Sequence, residues 1–346
     1  MKQINLFTSI TTFASGKGEV FYLNMLNPSL DTGGHRHSTQ MASSHTRFLS
    51  SQPDAYSRAF QRFLASCDQE GAILKCIQGH IMPIITNNIP VLQENDSPFR
   101  VLSVGSGEGE NDLNILKALN ELLSKKGQAV TPSLVNRVIE PDETRLNAFR
   151  SNAEVYMKNA MGRSRVDFEW LPMTFQEYAK QKKEDDTMKM NLVHFIQSIY
   201  YVDEEEALVH CYEKELGTKG VIFCISEMKE SVMIKFKETF PNECVALYPN
   251  KDAITVAKEK GWKYFVCPGD SNYLDITAIF DGSSSEGNEL FDFMANMINV
   301  RENEEKEPVE KMLRFWKKES FLSKDGKRIA EIRDRAVIIL KGDSEN

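Results

Sequence analysis

From residue 100 to the C-terminus, short apolar runs alternate with longer segments of helical period. No other feature of the chain limits its fold as strongly. The runs are "RVLSVG" from Arg100, "SLVNRVIEP" from Ser133, "VDFEWLP" from Val166, "MNLVHFIQSIYYV" from Met190, "KGVIFCISE" from Lys219, "WKYFVCPG" from Trp262 and "DRAVIILKG" from Asp334. Between them lie stretches such as "ENDLNILKALNELLSKK", in which Leu113, Leu116, Leu119 and Leu123 share a helical face. Strand and helix in turn predict an α/β fold with a doubly wound, mostly parallel, seven-stranded Rossmann-like sheet covered by helices on both faces. "EEEALVHCYEKELG" is a further predicted helix, with Gly217 as its stop. Residues 270–320 read as mixed helix and loop, and their charged run "RENEEKEPVEK" as a solvated surface.

Residues 1–45 stand apart. They are rich in Ser, Thr and Gly, show no sustained period and read as a poorly ordered extension. The remainder, 46–341, reads as one domain in which the segment from about 270 to 333 covers the substrate, and 342–346 as a tail. A net charge of −8 argues against a nucleic-acid partner. No apolar stretch approaches the ~18 residues of a membrane span. Six cysteines, with no CxxC pair among them, predict free thiols, a cytoplasmic location and no metal site. His35 and His37 fall in the polar extension and read as solvated. No apolar stripe is left over beyond the core faces, so a monomer is expected.

The first strand-to-helix turn is "VGSGEGE", from Val104, the expected ligand loop of such a sheet. A dinucleotide loop would read GxGxxG; here Gly105 and Gly107 fit, but the third glycine position holds Glu110. Gly105, Gly107 and Gly109 let a ligand approach the backbone closely. Glu108 and Glu110 would repel a phosphate, so the loop suits a cationic ligand without one. S-adenosylmethionine, with its ammonium and sulfonium, is such a ligand. Glu140, at the carboxyl end of the second strand, is placed to accept hydrogen bonds from both ribose hydroxyls, although an acid before Pro141 also suits a helix N-terminus. Tyr56, Phe60, Phe63 and Leu64 fall at i, i+4, i+7 and i+8, either a plain core-packing helix or an aromatic wall over a pocket. Gln197, Tyr200 and Tyr201 end the fourth strand, where they could orient a substrate.

With these pieces in order, residues from about 41 to 341 resemble the histamine N-methyltransferase family, a class I S-adenosylmethionine-dependent methyltransferase group. The matching stretches are "MASS", "YSRAFQRFL", "SVGSGEGENDLNIL", "VIEP", "HFIQSIYYV", "TFP" and "FDF". The resemblance implies S-adenosylmethionine as cofactor, contacted by Gly105, Glu140, Phe175 and Ile196. Arg145 falls on a further cofactor position, where the family usually has Gln. It also implies an aromatic amine pocket of Tyr56, Phe60, Phe63, Phe240 and Phe293, with Gln197, Tyr200 and Tyr201 positioning the acceptor. The family anchors its amine with a Glu after the first helix and an Asn before the last strand. The matching positions here read Gln69, with Glu70 beside it, and Arg333.

Methyl transfer to a ring nitrogen of histamine or a related small imidazole amine is therefore the expected activity. An arginine at the anchor would instead favour an acceptor that carries a carboxylate. A non-catalytic small-molecule binder of the same fold is a third reading, disfavoured by the intact loop and Glu140. A dehydrogenase is disfavoured by Glu110. Cys244 has no histidine near it in sequence and reads as structural.

Overall fold

The computed structural model describes residues 48–49, 52–88, 98–124, 133–159, 165–182, 188–241 and 251–342. The expectations for residues 1–45 and Cys244, and for all but the first residue of the tail, fall outside these.

The sheet runs β3-β2-β1-β4-β5-β8-β6, with a short β7 paired to β8. In chain order the strands are β1 (Phe99–Val104), β2 (Ser133–Ile139), β3 (Arg165–Leu171), β4 (Met190–Ile196), β5 (Leu216–Glu227), β6 (Lys263–Asp275), β7 (Ser320–Leu322) and β8 (Arg328–Leu340). β1 lies parallel between β2 and β4, β2 pairs with β3 and β4 with β5 in the same sense, and β8 runs antiparallel between β5 and β6. The order reverses at β1 and β4, so the ligand crevice opens over their carboxyl ends.

Alternate residues of each central strand feed opposite layers, as the two-residue period requires. Val101, Leu192, Val221 and Ile338 face one layer, where α2 (Gln69–Cys76), α3 (Met82–Asn88) and α4 (Glu110–Ser124) pack. Leu102, Val193, Ile222 and Val337 face the other, against α6 (Phe175–Gln181), α7 (Glu204–His210) and α9 (Ala253–Glu259). Near the sheet edge, α5 (Glu143–Asn159) sets Phe149 against Trp170 of β3.

A third apolar cluster forms a cap. It joins α1 (Pro53–Ala65), α8 (Val232–Thr239), α10 (Ser285–Ala295), α11 (Val300–Asn303) and α12 (Lys306–Lys318) to Leu274, Ala330 and Ile332. The far halves of β6 and β8 thus extend past the sheet core and floor the cap. The span read as mixed helix and loop is ordered by this floor, and its charged run lies on α11 and α12.

One helix end differs from the sequence reading. The helix from Glu204 closes through a π turn at Cys211–Glu215, and Gly217 belongs to β5 rather than to a left-handed cap. Parallel pairing of Leu216 with Met190 draws the chain straight into the strand. No helix among the described residues is long and apolar enough to cross a membrane.

Candidate active site

The glycine loop turns directly out of β1. Gly105, Gly107 and Gly109 all take positive φ (68°, 57° and 80°), a region that costs residues with a Cβ. A Cβ on Gly105 would lie 2.6 Å from Ser198 Cβ, and one on Gly109 1.9 Å from Phe149 Cδ2; around Gly107 nothing lies within 4 Å. The outer glycines are therefore squeezed by the fold, while the middle one faces open space.

Glu140 closes the loop from β2. Its carboxylate accepts from Gly107 N–H at 2.8 Å and from Asp142 N–H at 3.0 Å. Burial pushes its pKa up; the two backbone donors and the Arg145 charge pull the other way. Each oxygen keeps a lone pair for a further donor, as paired ribose hydroxyls would need.

Beneath the loop lies a buried polar chain that sequence spacing does not announce. Ser103 Oγ donates to Asn136 Oδ1 at 2.8 Å and meets His194 Nε2 at 2.8 Å. His194 Nε2 also lies 3.5 Å from Asp112, whose carboxylate accepts from Ser106 Oγ at 3.2 Å. Full burial lowers the His194 pKa, against the opposing pull of the Asp112 charge. Three β-strands and the first turn of α4 each supply a member, so the cluster exists only after folding.

Gln197 leaves β4 with φ 51°, a strained value for a residue with a side chain. Its N–H holds Ile225 O at 2.8 Å, and Ser198 Oγ donates to Val104 O at 2.6 Å. Tyr200 and Tyr201 follow in a 3₁₀ turn, their rings 4.7 Å apart. The Tyr201 hydroxyl meets that of Tyr56 at 3.2 Å.

The helix at Tyr56 is both wall and core. Tyr56 stacks on Phe60 and Phe60 on Phe63, with centroids 6.0 Å and 6.4 Å apart. Phe293 of α10 contacts all three. Phe63 is buried, whereas Tyr56 and Phe60 stay half-exposed toward the crevice. Phe240 packs a layer deeper, on Phe236 and Phe315. Phe175 sits in the core of the opposite layer against Phe195, and Ile196 is buried at the end of β4.

On the last strand the structure turns the expected anchor, Arg333, outward and its neighbour Asp334 inward. Arg333 is exposed and pairs with Glu331 at 2.8 Å, away from the crevice. Its neighbour Asp334 is only 4% exposed, and neither carboxylate oxygen has a hydrogen-bond partner of good geometry. The side-chain amides of Gln197 and Gln69 face it, and Gln197 Nε2 is likewise unpartnered. The alternation of β8 sets the aim, and a bulge of β6 lies opposite. Pro268 pairs with Arg335 and Ser271 with Arg333, leaving two residues of β6 opposite Asp334. A Cβ on Gly269 would lie 2.8 Å from Asp334 O, so glycine is required there.

Gln69 and Glu70 part in the same way. Gln69 is buried beside Asp334, whereas Glu70 turns toward Glu110 at the start of α4. Desolvation and the hydrogen-bonded Glu110 carboxyl raise the Glu70 pKa to about 7, with Asp68 and Glu108 adding to the effect. The glycine loop thus carries an acidic rim, and the crevice ends in one buried carboxylate. Among the described residues no cluster of His, Cys, Asp and Glu is set to hold a metal. A cradle open at Gly107, the buried Glu140 carboxylate and an acidic rim fit a nucleoside with a cationic tail.

The chain is 28% identical over 265 residues to histamine N-methyltransferase of Cavia porcellus, covering 75% of this chain and 85% of that protein. It is 27% identical over 254 residues to carnosine N-methyltransferase 2 of Gallus gallus, covering 71% and 74%. A solved putative methyltransferase from Bacillus halodurans superposes with TM-score 0.45 at 12% identity, covering 76% of this chain and 99% of the other. No family model matches. The chain thus has the fold of class I S-adenosylmethionine-dependent methyltransferases and is similar over most of its length to histamine N-methyltransferases.

Proposed function

We propose that the protein methylates a ring nitrogen of a small imidazole amine, histamine or a close relative. Asp334 is the observation that carries this reading: a buried carboxylate faced by two neutral amides and by no cation suits a positively charged acceptor, which the crevice would deliver. The anchor is the family pattern with its members exchanged. Where the family places Glu after the first helix and Asn before the last strand, this chain has Gln69 and Asp334, so one negative charge is kept. Arg333 is exposed and paired with Glu331, so an arginine at the anchor is no longer an argument for a carboxylate-bearing acceptor.

Gly105, Gly107, Gly109, Glu140, Phe175 and Ile196 are the residues proposed to hold the cofactor, with Arg145 beside them and the acidic rim of Glu70 and Glu110 near its ammonium. S-adenosylmethionine supplies an electrophilic methyl on a sulfonium. The acceptor nitrogen must be neutral, and an imidazole with an ordinary pKa near ~6.5 already is at neutral pH. No strong general base is then required. Gln197, Tyr200 and Tyr201 orient the ring, Asp334 and Gln69 hold the side-chain ammonium, and alignment of this kind supplies ~7–11 kcal/mol of a barrier. Tyr56, Phe60, Phe63 and Phe293 exclude water and present ring faces to positive charge. Phe240 supports the wall from behind.

A second reading keeps the same anchor with a longer acceptor. Its support is the Gallus gallus relative, a carnosine N-methyltransferase. Calorimetry decides between them: S-adenosylhomocysteine is titrated first, then histamine, histidine and carnosine in separate runs. Histamine binding to the complex supports the first reading and preference for carnosine the second. Binding of histidine alone would overturn both. Arg333→Ala is expected to leave the acceptor KM within about twofold, since an exposed ion pair of this kind contributes little. A larger rise in KM would return Arg333 to the site.

A further inference from the structure

The cap and the sheet layers meet over the crevice through few contacts from α1. Elsewhere α1 belongs to the cap: Arg62 pairs with Glu286 of α10 at 3.0 Å, and the chain before α1 bonds to Asn296. Toward the sheet, Tyr56 meets the Tyr201 hydroxyl, and the Arg145 guanidinium lies 5.6 Å from the Tyr56 centroid and 5.4 Å from that of Phe60. Tyr201 follows β4 and Arg145 follows β2, so the two contacts straddle the glycine loop of β1.

Arg145 is also tied to the cofactor side. Glu140 accepts from Asp142 N–H, and Asp142 Oδ1 accepts from the N–H groups of Thr144 and Arg145. The Arg145 guanidinium stands 3.9 Å from Asp142 Oδ2 and acts electrostatically on Glu140. A short chain of polar contacts thus runs from the proposed ribose carboxylate to the aromatic wall. Glutamine, usual at this position in the family, could not make the cation–π half of it.

We propose that Arg145 is a positioning residue that couples the filling of the cofactor site to the ordering of the acceptor wall. A cofactor hydrogen-bonded to Glu140 restrains the Glu140–Asp142–Arg145 segment. The restrained guanidinium then holds the faces of Tyr56 and Phe60, and α1 settles over the crevice. Acceptor binding follows cofactor binding for this reason. The inference rests on the cofactor assignment and not on which amine is the acceptor.

Hydrogen exchange of the α1 amides, with and without S-adenosylhomocysteine, tests it on the full chain. In the parent protein the ligand is expected to slow exchange across residues 56–63 by about tenfold, the scale of one desolvated cation–π contact. Arg145→Gln should bind S-adenosylhomocysteine and lose most of this protection, while Arg145→Lys keeps part of it. Phe60→Leu removes the ring without touching the cofactor side and should lose protection too. It decides the matter if Arg145→Gln fails to bind ligand. Full protection in a ligand-bound variant lacking either partner, or none in the ligand-bound parent, overturns the coupling. Failure of the parent to bind S-adenosylhomocysteine at all is a separate calorimetric result, and it would strike the cofactor assignment instead.

Discussion

Asp334→Asn is expected to make the protein more stable and a much poorer binder of its acceptor. Burial raises the Asp334 pKa from 3.8 to about 6, against the pull of the Gln197 and Gln69 amides. A carboxyl whose folded pKa exceeds its unfolded value binds more protons folded than unfolded between the two. Stability therefore falls as pH rises from about 4 to 6, and the whole cost is present above that. A shift of two units corresponds to about 3 kcal/mol, an upper bound for a site that water can enter. Asparagine has the same shape and carries no such cost, so thermal unfolding at pH 8 should move up by several degrees. The acceptor's ammonium, however, loses its counter-charge, and removing one partner of a buried charge pair costs about 2–5 kcal/mol. The kcat/KM for histamine should drop by about two orders of magnitude while S-adenosylhomocysteine affinity stays unchanged. In the parent protein acceptor affinity should weaken as pH falls through 6, a limb the variant lacks apart from the titration of the acceptor itself. A variant that keeps its KM within about threefold, or that unfolds at a lower temperature, contradicts the anchor role.

Asp334 is harder to read in the sequence than the features around it. Features set by local geometry were legible. Glycines at alternate positions after an apolar run announce a turn with positive φ. Tyr56, Phe60 and Phe63 announce a helix face, and Glu140 follows from where a strand ends. The identity of the anchor depends on which face of β8 each residue occupies, and pairing register sets that. A one-residue change of register exchanges inside for outside. The bulge between Pro268 and Ser271 lies in β6, some sixty residues away in sequence, and leaves the alternation of β8 itself intact. Gln69 and Glu70 pose the same problem at the start of a helix, where adjacent residues point about 100° apart. The Ser103, Asn136, Asp112 and His194 cluster had no local signature at all, because each member is an isolated polar residue in an otherwise ordinary segment. The helix stop read at Gly217 differs for the same reason, since pairing of Leu216 with Met190 draws that glycine into β5. The alternation in "RIAEIRDRAVIIL" did carry information. Ala330, Ile332, Asp334 and Ala336 share the buried face, so period two points inward at Asp334 and outward at Arg333.

Alanine at Gly107 and at Gly109 should separate ligand binding from folding within one loop. The two glycines have the same backbone requirement, φ 57° and 80°, and so the same strain of roughly 1–2 kcal/mol on gaining a Cβ. Their surroundings differ. At Gly109 the new methyl would lie 1.9 Å from Cδ2 of Phe149, a fully buried ring wedged against Phe168 and Trp170. That ring cannot yield without moving α5 off β3, and overpacking adds ~1–3 kcal/mol or more to the strain. Gly109→Ala is expected to unfold several degrees lower or to accumulate as insoluble protein. At Gly107 nothing lies within 4 Å of the methyl, so Gly107→Ala should fold with a small loss of thermal stability. The open space beside it is the proposed seat of the cofactor, and Gly107 N–H is the donor that holds Glu140. Calorimetry of S-adenosylhomocysteine should therefore show affinity reduced by tenfold or more, about 1.4 kcal/mol or above. Unchanged affinity in folded Gly107→Ala would mean that the ligand does not approach the loop at its middle glycine, and the cradle would have to be rebuilt around Gly105 and Glu140 alone.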